Sequence, residues 1–82
     1  MEVAETTALS ALKPGEVGRV ASVDGDDVMA LRLRDLGFWP DTRVECVRRA
    51  PFGDPAQFRL RGYTLALRVD EALRVNVLRE TD

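Results

Sequence analysis

Histidine is absent from the 82 residues, and cysteine, tryptophan and tyrosine occur once each. Without histidine, the side chain best matched to proton transfer near neutral pH is missing. The single thiol, Cys46, cannot close an internal disulfide, which fits a reducing compartment. One cysteine and no imidazole cannot complete a thiolate or imidazole metal site within one chain. No apolar run is long enough to cross a bilayer, so no membrane insertion is expected. The stretch MEVAETTALSAL is acidic and lacks the basic and apolar segments of a secretory signal, so the expected location is the cytoplasm. Lysine is nearly missing too: apart from Lys13 the cations are arginines. A formal net charge of -2 argues against non-specific nucleic-acid binding, although it leaves a local basic face open.

What is present is a well-patterned small domain. Hydrophobic residues make up 45% of the chain, enough for one core and too few residues for two. Residues 1–8 read as a flexible tail ahead of one domain over 9–82. Lys13-Pro14-Gly15-Glu16 is a turn, with Pro14 presetting φ and Gly15 free to take positive φ. The β-rich run 17–23 lacks strict alternation, since Val17, Val20 and Val23 recur every third residue. A bulge near Gly18 accounts for that spacing. The period then changes. Asp24, Asp26 and Asp27 suit a helix start, and Met29, Leu33 and Leu36 form a stripe. Gly37 suits a left-handed C′ position and Pro40 blocks continuation, which predicts a helix over 26–36.

From residue 42 onward the period is two. Val44 and Cys46, then Phe58 and Leu60, then Leu65, Leu67 and Val69, then Leu73, Val75 and Val77 point inward. Gly62 marks a hairpin. Residues 70–72 form a tight connection of at most one 3₁₀ turn. Five strands and one helix, with the helix between the first and second strands, predict a small closed barrel that hides its strand edges.

Little of this composition carries catalysis. Cys46 falls on an inward strand position and reads as a buried small hydrophobe. The Asp24–Asp27 cluster fails the calcium-loop pattern, because Met29 stands where the glycine is needed and Asp35 where the glutamate is needed. No enzyme activity, cofactor or metal ligand is expected. Arg59, Arg61, Arg68 and Arg74 fall on outward positions and could share a face. Only Tyr63 stands near them as a base-stacking platform, which favours a protein contact over nucleic acid. Phe38 and Trp39 after the helix, and Phe52 in the Pro51–Pro55 loop, lie at element ends. They serve either as lids on the barrel or as partner anchors. The candidate partner-binding residues are therefore Phe38, Trp39, Phe52, Arg59, Arg61 and Arg68.

The ordered set LSALKPGEVGRV, RLRDLGFWPDTRVECV and APFGDPAQFRLRGYTLALRVDEALRVNV resembles the FeoA family, over roughly residues 9–78. Gly15, Arg32-Leu33, Leu36-Gly37, Pro40, Ala50-Pro51, Gly53-Asp54-Pro55, Gly62, Leu67-Arg68 and Glu71-Ala72 carry the resemblance together. It implies an SH3-like barrel and a non-enzymatic accessory role in ferrous iron uptake. The implied partner is the cytoplasmic part of the FeoB GTPase-permease, with weak self-association left open. The family is also similar to the C-terminal SH3-like domain of iron-dependent repressors, so a metal-responsive regulatory domain is the alternative and a nucleic-acid binder a more distant one. Asp41 departs from the family pattern, which often has glycine after that proline. The Phe38-Trp39 pair is bulkier than the pattern and suits a partner-specific contact or an oligomer interface.

Overall fold

Alternation and helix punctuation translate directly into elements in the computed structural model, which describes residues 5–80. The strands are β1 (Thr7–Ala8), β2 (Val17–Val23), β3 (Arg43–Arg49), β4 (Ala56–Leu60), β5 (Tyr63–Leu67) and β6 (Val75–Glu80). Helix α1 (Val28–Asp35) joins β2 to β3, and the short α2 (Val69–Ala72) joins β5 to β6. A 3₁₀ turn spans Leu9–Ala11. All pairings are antiparallel, in the order β1-β6-β2-β3-β4-β5.

The expected count of five strands is corrected to six, and the closed barrel to an open sheet whose edges are β1 and β5. The extra strand is two residues long, pairing Thr7 with Val77 and Ala8 with Asn76. Two residues carry no period, so no sequence pattern announces them. The tail expected over residues 1–8 thus includes a paired segment, and its first four residues lie outside the described residues. Helix α1 still follows the first long strand, but it joins the second and third strands of the chain.

The core is one cluster. Val20, Val23, Val44, Cys46, Ala56, Phe58, Leu60, Leu67, Val75 and Val77 come from the sheet. Leu9 and Leu12 come from the N-terminal turn, and Ala30 and Leu33 from α1. No polar or charged residue is buried among the described residues. Two inward assignments are corrected. Val69 is 44% exposed and Leu73 55% exposed, because α2 replaces the alternation there. The Arg68 N–H donates to Glu71 Oε1 (2.9 Å) and the Val69 N–H to Asp54 Oδ1 (3.1 Å), which starts a helical turn in place of a strand.

The bulge is also relocated. It falls between Val20 and Ser22, at Ala21, rather than near Gly18. A Cβ on Gly18 would lie 3.1 Å from both Leu78 O and Val77 Cβ. Gly18 is therefore there for close approach of β2 and β6, not for a kink.

Candidate functional site

The two ends of α1 organise the surface that carries the exposed Trp39. Asp27 starts the helix, its Oδ1 accepting from the Ala30 N–H at 3.3 Å. Arg74 grips the same carboxylate with two bonds of 2.7 Å. That guanidinium holds the Asp27 carboxyl well below the usual carboxylate range, and Asp27 in turn raises the pKa of Arg74. Arg74 is thus committed to the start of α1, and does not extend the Arg59, Arg61 and Arg68 series as the alternation implied.

At the other end, Gly37 takes φ 111°. The Phe38 N–H donates to Leu33 O (3.2 Å) and the Gly37 N–H to Arg34 O (3.0 Å), the two bonds of a Schellman motif. This closure decides the fate of both aromatics that follow. Phe38 turns back onto the helix and is 1% exposed, so the expectation that it is a partner contact is corrected: it is core. Trp39 is thrown outward and is 46% exposed. Its Nε1–H donates to Arg34 O at 2.7 Å, a second bond on the carbonyl that already accepts from the Gly37 N–H. The Thr42 N–H then closes on Trp39 O (3.0 Å), with Pro40 second and Asp41 third in the turn. Asp41 has φ 74°, the positive value that a type II turn requires of its third residue. The turn therefore keeps its geometry without the glycine of the family pattern.

Behind Trp39 lies a cleft of about 300 Å³, lined by Ala21, Ser22, Val23, Arg34, Phe38, Trp39 and Pro40. The bulge at Ala21 forms one wall and the helix end the other. Arg34 is half-buried, and its Nη2 donates to Val23 O and Gly25 O, both at 2.9 Å. Arg61 places its guanidinium 4.2 Å from the centre of the Trp39 ring, a cation–π contact worth about 0.5–1 kcal/mol at such a site. Arg61 sits at the β4–β5 hairpin with φ 51°, beside Gly62 at φ 84°. Positive φ at both central residues is the type I′ geometry that matches strand twist. Tyr63, next in the chain, donates its hydroxyl to Leu36 O and ties the same hairpin to the end of α1.

The other candidates lie apart from this cleft or have other partners. Arg59 pairs with Glu45 at 3.6 Å across β3 and β4. Arg68 is exposed at the start of α2. Phe52 is 98% exposed at the tip of the β3–β4 loop. That loop is anchored by Arg49, which donates to Gly53 O (3.4 Å) and also to Ser10 O and Leu12 O in the N-terminal turn. The structure thus brings Trp39 and Arg61 together and leaves Phe52, Arg59 and Arg68 elsewhere. Arg34 and Tyr63 support the cleft, and Arg49 the Phe52 loop, through roles the sequence did not assign them. Each acts on a backbone carbonyl, a role that no residue spacing announces.

Reactive groups are scarce. Cys46 is buried on β3, and burial pushes its thiol pKa upward. Among the described residues no three Cys, Asp or Glu side chains gather as a metal ligand set. No helix of the described residues is long and apolar enough to cross a membrane.

Fold and site together define a mainly β domain with a surface cleft at the end of α1 and, among the described residues, no cluster of metal-ligating side chains. The FeoA domain model matches residues 7–79, and the chain belongs to the FeoA family. FeoA of Stenotrophomonas maltophilia, solved in complex with zinc and described as a prokaryotic SH3 domain protein, is 34% identical with a TM-score of 0.80. The match covers 90% of this chain and 95% of that one. An Fe(2+) transport protein A/Fe(2+) transporter FeoB fusion protein of Porphyromonas gingivalis is 30% identical over 69 residues. Those residues are 84% of this chain, which spans only 8% of that relative's length. A manganese-dependent transcriptional repressor shares the fold, with a TM-score of 0.85 at 22% identity, over 95% of this chain and 43% of that one.

Proposed function

We propose that this domain is a non-enzymatic, cytoplasmic accessory component of ferrous iron uptake that binds and regulates a FeoB-like GTPase-permease through protein contacts. The observation that carries this reading is the fusion of an FeoA-type domain to FeoB in a single chain of the Porphyromonas relative. Two domains joined in one chain have a high effective concentration for each other. The surface of this domain suits such a role. Trp39 is held at both faces of its function, by a hydrogen bond at the indole nitrogen and by Arg61 over the ring. An aromatic held in place before binding loses little entropy on contact. Phe52 offers a second apolar projection.

Calorimetric titration against the soluble cytoplasmic domain of the FeoB-type permease from the same organism, with and without guanine nucleotide, tests the proposal. Saturable binding is expected. Trp39→Ala and Phe52→Ala should weaken it by about tenfold or more, the 1.4 kcal/mol scale of a binding anchor. Phe52→Ala should leave stability within about 0.5 kcal/mol, because the side chain is fully exposed. Unchanged affinity of both folded variants would refute the assigned contacts, and no binding in either nucleotide state would refute the partner. The manganese-dependent repressor shares only the fold, so a metal-responsive regulatory role is the weaker reading.

A further inference from the structure

The arginines of this chain divide into two sets. Arg19, Arg32, Arg43, Arg59, Arg74 and Arg79 each lie within 3.8 Å of a carboxylate. Arg34, Arg48, Arg49, Arg61 and Arg68 have no carboxylate at that range among the described residues, and of these Arg34 lines the cleft beside Trp39 and Arg61 lies over its ring. Arg34 spends only Nη2 on Val23 O and Gly25 O. Its Nε and Nη1 donate to nothing else among the described residues. Asp41, the acidic residue nearest the cleft in sequence on the turn side, faces Arg19 instead, at 3.8 Å. Arg34 in the lining, and Arg61 against the Trp39 ring, therefore place two positive charges in or beside an apolar cleft of about 300 Å³ whose lining includes Val23, Phe38, Trp39 and Pro40.

We infer that this cleft is a docking site for an acidic, apolar peptide segment, with a carboxylate received by Arg34, Arg61 adding positive charge at the Trp39 ring, and a neighbouring aliphatic side chain seated against Trp39 and Pro40. The inference rests on the accessory-protein reading and names the chemistry of the segment that such a partner presents. Charge complementarity selects the occupant. A guanidinium in the lining of an apolar cleft is recognised best by a planar anion, in a contact that strengthens as water leaves. The volume is at the lower end of ligand clefts and admits one or two side chains rather than a cofactor. A nucleic acid would also present anions, but the net charge of -2 opposes a polyanion as a whole.

The chain contains its own reporter, because Trp39 is the one tryptophan. The probe is an acetylated, amidated octapeptide of alternating glutamate and leucine. Two control peptides replace every glutamate by glutamine, or every leucine by alanine. The expected result is a saturable change in tryptophan emission with the parent peptide, at least tenfold weaker with either control. The affinity should fall as salt rises. Arg34→Gln and Arg61→Gln should each weaken the parent peptide by about three- to tenfold. Arg61→Gln leaves the backbone bonds of Arg34 intact, so it remains informative if Arg34→Gln fails to fold. Equal binding of the glutamate and glutamine peptides would overturn the inference, as would no response up to 1 mM. An emission change with protein concentration alone, matched by a dimer in sedimentation, would assign the cleft to a second copy and also overturn it. Peptide binding without binding of the permease domain would refute the accessory reading alone. Permease binding that Arg34→Gln and Arg61→Gln leave unchanged would refute the cleft alone.

Discussion

Gly18 shows how little space separates β2 from β6. A methyl group there meets the Leu78 carbonyl and the Val77 Cβ at 3.1 Å, and both belong to a paired strand that moves only as a unit. Gly18→Ala should therefore destabilise the domain by roughly 1–2 kcal/mol, the usual cost of overpacking. That outweighs the ~0.4–1 kcal/mol gained by restricting the unfolded chain. The Tm should fall by about 4–8 °C for each kcal/mol in a domain of this size. A thermal melt with unchanged or raised Tm would show that β2 and β6 can part at no cost. The same residue explains an error of inference. The three-residue spacing of Val17, Val20 and Val23 did signal a bulge, and a glycine is the usual place to put one. The bulge sits instead at Ala21, since Gly18 answers a contact with a strand far away in sequence. Trp39 and Arg61 are likewise 22 positions apart in sequence, so their stacking leaves no local trace.

At the scale of elements, legibility tracks length and punctuation. Helix α1 was readable because its caps are written in residue types: an aspartate that accepts at the start and a glycine that takes positive φ at the end. Strands β3, β4, β5 and β6 were readable from alternation over five to seven residues. The two-residue β1 and four-residue α2 are too short for any period to emerge. The α1 ending also tests the site. Gly37→Ala forces a side chain onto φ 111° and sets a Cβ 2.8 Å from Arg61 Cδ. The left-handed strain should cost about 1–2 kcal/mol. The displaced Arg61 should also alter the emission of Trp39. Gly53→Ala is the control, with φ 88° and nothing within 4 Å of its Cβ. It should show the strain in a melt while leaving Trp39 emission unchanged. Identical emission changes in the two variants would mean that Arg61 is not seated by Gly37.

Across the whole molecule, the Asp27–Arg74 pair joins the start of α1 to the residue that precedes β6. The native Asp27 carboxyl titrates below its ordinary value of 3.8, chiefly because Arg74 bonds to it. The unfolded state therefore binds this proton first as pH falls. Stability from the pair is complete above pH 3.8 and is lost progressively below it, toward the depressed native value. Asp27→Asn should flatten that part of the acid-unfolding curve and lower stability at neutral pH. Superimposable curves for the two proteins between pH 2 and 6 would show that the pair adds nothing. The open sheet was the least legible feature at this scale. One-sided strands demand cover for the apolar face, and closure is one way to supply it. Here α1, α2 and the N-terminal turn contribute to the same core, so the two edges need not meet.

The anchoring of the Phe52 loop has a mechanical consequence. One guanidinium, that of Arg49, holds Gly53 O on one side and Ser10 O and Leu12 O on the other. The loop and the N-terminal turn thus share a single fastening. A load applied at Phe52 is transmitted to the segment that follows β1, and slack introduced at either end loosens the other.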